Sequence, residues 1–471
     1  MSSTLPPIGR PDKIVLGVSA IPPCPAIGSS PESRLLATRC QLTPAGAGDH
    51  PLIQRLMLLS GHTVEADEFH LQLEEPGYCP ESRIVVRLGG DVVGHVRLSR
   101  REMNCGTLRL TVAVVRELIV LPEYRTLGLA SALLKAALTK ASASGAQALL
   151  WNTTAERLAA EHGFALLARD ASSVARPREV LAQLATAELI HLNPQPIEFA
   201  IGTAGQAQPL TLRLWRHYEL EGLERLYALG TERTAGALLR DDERWRWLIS
   251  RHGYDRIYVA IDGPDSWDLN STHPRLVGYA VMRAARMVEL FAAPHRADVA
   301  PQLLARACSD AIEQDCARLQ FDAPASDPLH AVFAAASGEA QPAATTNRAW
   351  FIKLFEPSRW LHDLQPEFHR RLRGSDLPTA GEFGLHVSDD KWLFTIGARS
   401  VKLSAGKLGR SHLTLDATTL TRLLLGCTTL SSELASGQVH ASTALATQFA
   451  ESLFPAQAWW LPPWETLASC G

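Results

Sequence analysis

The chain has 471 residues, enough for about two to four domains rather than one core. Hydrophobic residues make up 46% and charged ones 20%, an ordinary globular balance and too apolar for disorder. A net charge of −3 and a pI near 6.6 exclude non-specific binding to nucleic acid or anionic lipid as a function class, and no apolar run approaches the ~18–20 residues that span a bilayer.

The eight cysteines are scattered, without a C-x-x-C pair, which reads as reduced thiols in a cytoplasm. Residues 1–33 read as a loose extension, because Pro22, Pro23 and Pro25 interrupt the one short apolar stretch. A strand is expected at 34–43 and a helix from Leu52, entered through a loop ending at Asp49. Residues 83–88 and 92–98 flank Gly89, Gly90 and Asp91 as a β-hairpin. A β-rich run at 108–121 closes on Pro122, a helix with small and apolar residues covers 128–143, a strand covers 149–151 and a helix 156–161. Residues 171–196 read as a connector. A second mixed unit follows to Leu364, with strands at 257–261 and 277–282, a helix at 299–319 and a small-residue loop at 337–346. From Leu377 a third unit shows short strands at 385–387, 392–396, 401–403 and 412–415, helices at 418–425 and 443–453, and a Trp-rich tail at 459–464.

The chemistry concentrates between Glu117 and Ser131. A strand meets Pro122, and a loop through Thr126, Leu127 and Gly128 opens a helix at Leu129, Ala130 and Ser131. Small residues let backbone approach a ligand, and the free N–H groups and dipole of a helix start suit a pyrophosphate, with Arg125 adding charge on the same turn. On these residues alone, an ordinary strand–turn–helix junction is the competing reading.

Together with the stretch after Asn152, this segment resembles the GNAT superfamily of acyl-CoA-dependent N-acyltransferases. Val120, Pro122, Tyr124, Arg125, Gly128 and Ala130 match its V-x-P-x-[YF]-[RQ]-x-x-G-x-[GA] motif. Asn152, Ala155, Leu158, Gly163 and Phe164 match N-x-x-A-x-x-L-Y-x-x-x-G-F. The resemblance implies that residues 126–131 cradle the pyrophosphate of acetyl-CoA. It also implies that Leu118 and Val120 offer backbone to the pantetheine, that Asn152 faces the cofactor, and that an acetyl group passes to an amine. One departure stands out: Ala159 replaces the Tyr that serves the family as acid toward the thiolate. Glu117 lies where several relatives carry an acidic base, its alternative being an exposed strand carboxylate. His162 reads as a surface helix residue and Tyr124 as scaffolding. The stretch 57–82 holds Glu65, Asp67, Glu68, Glu74, Glu75 and Glu81 without Lys or Arg; it reads as a rim that draws in cationic amines, or as a solvated acidic face.

The middle unit repeats part of this pattern. Glu289 precedes Pro294 by the same five positions as Glu117 precedes Pro122, and Leu303-Leu304 echo Leu133-Leu134. Val299 and Pro301 stand where a phosphate loop needs small residues, so a second GNAT-like fold without cofactor is expected. The third unit resembles a sterol-carrier-protein-like domain. The expected class is thus α+β (mixed α/β): a flexible extension at 1–33, a GNAT domain at 34–195, a degenerate GNAT-like domain at 196–365 and a sterol-carrier-like α+β domain at 366–471.

That order resembles the Eis (enhanced intracellular survival) acetyltransferase family. The resemblance implies acetyl-CoA as donor, a small cationic amine acceptor of polyamine, lysine or aminoglycoside type, and a homo-oligomer, commonly a hexamer. It further implies that the terminal carboxylate, here on Gly471, acts as base. The histidines lack paired ligand spacing, so no metal is expected, nor nucleic acid nor a membrane span as partner. A non-catalytic CoA or lipid binder on the same folds is the rival reading.

Overall fold

The computed structural model describes residues 39–466, except 62–65, 107, 170, 191–209, 233, 266–275, 338–347, 376 and 379. The expected extension at 1–33, Gly471 and most of the 337–346 loop therefore lie outside the described residues.

Strand β1 (Cys40–Pro44) leads into helices α1 (His50–Leu59) and α2 (Ala66–Leu73). Strands β2 (Arg83–Leu88) and β3 (Asp91–Cys105) form the expected hairpin, with Gly89 at φ 64° supplying the left-handed turn residue. Strand β4 (Leu108–Val120) runs beside β3, helix α3 (Leu129–Ala143) crosses over, and β5 (Ala148–Thr153) lies parallel to β4. Helix α4 (Glu156–Glu161) and β6 (Ala165–Arg169) follow. Both faces of this sheet are covered, which explains the near-continuous Val/Leu runs. Ala113, Val115, Leu149 and Trp151 pack toward α3, while the alternate Val112, Val114, Ala148 and Leu150 pack against the third unit.

Residues expected as a connector instead hold β7 (Ser172–Ala175) and α5 (Pro177–Thr186). The four-residue Ser-Ser-Val-Ala segment carries little strand signal alone; it is a strand because Leu319–Asp322 supplies its antiparallel partner. Next come β8 (Leu210–Leu214), α6 (Leu220–Thr231), α7 (Asp242–Ser250), β9 (Arg256–Asp262), β10 (Leu276–Arg283) and β11 (Arg286–Ala292). Helix α8 (Val299–Glu313), β12 (Leu319–Asp322), α9 (Leu329–Ser337) and β13 (Ala349–Leu354) complete the second unit.

The two sheets exchange strands. The first has the order β1-β2-β3-β4-β5-β13-β6, so the last strand of the middle segment sits antiparallel between β5 and β6. The second has the order β7-β12-β11-β10-β9-β8, with β7 from the first segment at its edge. The expected boundary at 195/196 is thus crossed in both directions by paired strands.

Helices α10 (Pro357–Asp363) and α11 (Gln365–Arg373) lead to a third sheet, β16-β15-β14-β17-β18. Its strands are β14 (Gly381–Val387), β15 (Asp390–Ile396), β16 (Val401–Ala405), β17 (His412–Leu415) and β18 (Val439–Ala441). Helices α12 (Ala417–Leu424), α13 (Leu430–Ala435) and α14 (Ala444–Leu453) pack with it, capped at their starts by Asp416, Thr429 and Thr443. Phe368, Phe383, Phe394 and Phe449 fill the core between these helices and strands.

Candidate active site

Strands β4 and β5 pair only from Val112/Ala148 to Val115/Trp151 and then part. Beyond that point a cleft of about 970 Å³ opens, lined on one side by Leu118, Val120, Arg125, Ala130, Asn152 and Leu158. Of the ten expected cofactor positions, Leu118, Val120, Arg125, Ala130 and Asn152 line the cleft, as does Glu117, whereas Thr126, Leu127, Gly128, Leu129 and Ser131 are not among its lining residues.

The turn geometry explains how one wall suits phosphates. Residues 122–127 wind as a 3₁₀ turn, and Gly128 caps α3 at φ 71°, a conformation that strains any side chain. The N–H groups of Leu129, Ala130 and Ser131 then open the helix without acceptors in its own turns. The side chains of Leu127 and Leu129 are buried in the core, so only their backbone can meet a ligand. Thr126 and Arg125 are exposed, and Arg125 Nε donates to the Val120 carbonyl at 3.4 Å. The Ser131 hydroxyl shares a 2.8 Å hydrogen bond with His162 Nε2, so His162 is tied to this helix rather than free on a surface. Asn152 Oδ1 accepts from Arg348 Nη1 at 3.3 Å, next to the inserted strand β13. Ala159 is wholly buried in the core that α3 packs on and is not among the residues that line the cleft.

The opposite wall holds a buried charge network. A register shift pairs Arg97 with Glu117 but Leu98 with Val115, leaving Arg116 as the extra residue of a β-bulge. Arg116 and Glu117 both line the cleft, within a run from Val114 to Val120 that borders it. Glu117 accepts from Arg83 at 3.1 Å and Arg97 at 3.0 Å, with His95 Nε2 at 3.9 Å. Burial would raise its pKa, but Arg97 and Arg83 outweigh that and hold it down to about 2. Glu75 accepts from Arg97 at 2.5 Å, Arg244 at 2.7 Å, Ser99 at 2.9 Å and Arg116 at 3.4 Å. Against its burial, Arg116, Arg97 and Arg244 keep it well below the usual carboxylate range. From the tail, Glu465 meets Arg101 and, at 3.0 Å, Arg240; these too outweigh burial and lower its pKa. Arg240 also grips Glu289 at 2.7 and 2.9 Å, and Tyr279 donates to Glu289 at 2.6 Å.

Arg251 ends the network. Its terminal nitrogens donate to the backbone carbonyls of Trp464 and Glu465, and its guanidinium stacks 4.6 Å over Trp247. Among the described residues, seven guanidiniums (Arg83, Arg97, Arg101, Arg116, Arg240, Arg244 and Arg251) face four carboxylates (Glu75, Glu117, Glu289 and Glu465). The expected acidic rim is largely absent: Glu75 is consumed by its arginines, Glu74 and Glu81 are exposed off the cleft, and Glu68 alone of the described acids beside Glu75 reaches the lining. Glu65 lies outside the described residues, as does the side chain of Asp67.

Sequence reading missed Arg97, Arg116, Trp247, Arg251, Arg348 and Glu465 as cleft residues. A signal existed for the first: Arg97, Ser99 and Arg101 recur with period two in β3, which puts three polar groups on one face, and all three are buried. The others come from distant segments that only the tertiary fold gathers. Gly471 lies outside the described residues; Glu465, six positions before it, is in the cleft wall.

Residues 53–164 match the acetyltransferase (GNAT) family. A search of curated protein sequences returns no match. Among solved structures, the fold is shared with a GCN5-related N-acetyltransferase from Kribbella flavida at 15% identity and a TM-score of 0.64, covering 90% of this chain and 97% of that one. A GCN5-related N-acetyltransferase from Anabaena variabilis aligns at 17% identity and a TM-score of 0.63, over 90% and 99%. Eis1 from Mycobacterium abscessus aligns at 16% identity and a TM-score of 0.55, again over 90% and 99%. At such identities the likeness is one of fold.

Proposed function

We propose that this chain, an acyltransferase whose residues 53–164 form a GNAT domain, transfers the acetyl group of acetyl-CoA to the primary amine of a small molecule. The observation that carries the reading is one continuous cleft. It runs from the Gly128 helix start, past the parted ends of β4 and β5, to a charged far wall.

In this reading the first-turn N–H groups of α3 and Arg125 hold the pyrophosphate. Backbone of residues 118–120 aligns the pantetheine, and Asn152, steadied by Arg348, faces it. Transfer forms the C–N bond and breaks the C–S bond; the ammonium loses a proton and the thiolate gains one. Glu117, proposed from the sequence as the base, is a weak one at a pKa of about 2. The surplus of guanidiniums offers another route. Positive surroundings disfavour the ammonium and lower its pKa, so a larger share of bound amine is neutral and nucleophilic, its proton going to water. The same field stabilises negative charge developing on the carbonyl oxygen and the departing sulfur, which also lightens the need for an acid at Ala159. Glu117 then serves to fix Arg83 and Arg97. The Gly471 carboxylate, the other base implied by the resemblance, stays part of the proposal as a second proton acceptor.

The finer assignments are equally ours. We read the chain as a GNAT domain at 34–195, a degenerate copy at 196–365, each lending the other's sheet one strand (β7 and β13), and a sterol-carrier-like unit at 366–471, assembled as a homo-oligomer in the cytoplasm in the Eis manner. The test is thiol release from acetyl-CoA across a panel of amines, with calorimetric CoA binding on the same sample. Turnover with any primary amine supports the reading; binding without turnover across the panel favours a sensor of CoA, and absence of binding overturns it.

A further inference from the structure

Two guanidiniums of the far wall are incompletely met. The Arg116 side chain is 8% exposed, its Nε has no hydrogen-bond partner, and its carboxylate neighbours stand off at 3.4 Å (Glu75) and 3.8 Å (Glu465). Arg251 is 7% exposed, its Nε is equally unpartnered, and its other nitrogens reach only backbone carbonyls. Both line the cleft. A buried cation is costly unless an anion pairs with it, and Arg97 and Arg240 in the same network each hold two carboxylates at 3.0 Å or closer. These two face a space open to a small molecule.

We propose that the acceptor amine carries a carboxylate, and that Arg116 and Arg251 hold it. The inference rests on the acetyl-transfer reading and names the substrate class for the same cleft. A guanidinium's Nη–H groups donate to carboxylate oxygens, and because both Nε atoms are buried out of reach, the Nη–H groups of Arg116 and Arg251 are the donors offered to the ligand. Trp247, stacked on Arg251, and Leu71 supply an apolar wall for the rest of the molecule. Burial, and then neighbouring like charge, push both groups down against the pull of Glu75 and Glu465, Arg116 to about 10 and Arg251 to about 9, and each stays charged at neutral pH. A polyamine or aminoglycoside would bring further positive charge against this wall, where like-charge contacts are costly.

The experiment measures thiol release by the full chain with amino acids and their amides as matched pairs (phenylalanine, leucine, glutamate and lysine), beside spermidine. The expected result is at least a tenfold higher kcat/KM for the acid of each pair that turns over. The amide's amine is less basic and more of it is neutral at pH 7, so preference for the acid works against intrinsic reactivity. N-acetylphenylalanine should bind, by calorimetry, more tightly than its amide. Arg251→Gln and Arg116→Gln should each drive the acid/amide ratio toward one, whereas Arg251→Lys should keep the larger part of it. Equal or better use of the amides or spermidine overturns this inference while leaving acetyl transfer standing. Absence of both turnover and acetyl-CoA binding would instead overturn the acetyl-transfer reading beneath it.

Discussion

The first and second sheets carry the same irregularity at the same place. In the first, the register steps from Arg97/Glu117 to Leu98/Val115; in the second, it steps from Val281/Glu289 to Met282/Met287. Arg116 and Val288 are the extra residues of these two bulges, each just before the glutamate that precedes proline by five. Arg116 faces the cleft, while Val288 is wholly buried. The helix starts diverge likewise. Gly128 opens α3 in a left-handed conformation, whereas Asp298 opens α8 in the right-handed helical region and pairs with Arg296 at 2.9 Å. Val299 then plugs the space: a Cβ added at Gly278 would come within 2.3 Å of it, whereas one added at Gly94 meets its nearest neighbours at 3.2–3.3 Å. One backbone plan thus gives a hollow half beside Arg116 and a packed half over Val288 and Val299, and the carboxylate of Asp298 would repel an anion at the second helix start.

The comparison breaks most sharply at Gly128. Gly128→Asp forces a side chain into φ 71° and puts a carboxylate at the phosphate position, so CoA binding should vanish in calorimetry. Retained affinity would show that the phosphates bind elsewhere. Next comes Glu465, which ties Arg101 of the first sheet to Arg240, the partner of Glu289 in the second. Glu465→Gln leaves buried guanidiniums undercompensated and should cost about 3–5 kcal/mol, read as a fall in Tm or denaturant midpoint. Arg116→Val, which copies the second bulge into the first, should lower kcat/KM for the preferred acceptor at least tenfold while leaving CoA affinity within threefold.

Acid sharpens the same contrast. Glu117 is held down to about 2 from an ordinary value near 4.5, so its ion pairs contribute fully above that ordinary value. That stabilisation should drain away as pH falls from about 4.5 toward 2, visible as a falling Tm that Glu117→Gln flattens. The smallest effect distinguishes the two glycines: Gly278→Ala should cost about 1–3 kcal/mol through overpacking against Val299, and Gly94→Ala less.

The wall of the cleft around the Gly128 turn was legible because it is local. Pro122, Gly128 and Ala130 encode one turn through their own backbone preferences, and the hairpin at Gly89 and the helix at 156–161 are equally short-range. The charged far wall was not, because no local pattern specifies it. A bulge turns Arg116 beside Glu117, α7 brings Trp247 and the turn after it brings Arg251, and Glu465 arrives from the tail. The acidic run at 57–82 misled for the same reason: Glu75 reads as surface charge until Arg97, Arg116 and Arg244 close on it from three other segments. The exchanged strands escaped for want of any signal in β7 alone, whose pairing with β12 is set by the partner.

The most direct measurement is the stoichiometry of CoA binding to the intact chain by calorimetry. The account predicts one CoA per chain, because of the two matching helix starts, at Gly128 and Asp298, the first has the left-handed glycine. Two per chain would contradict the filled reading of the second half-site, and none would contradict the cofactor cleft itself.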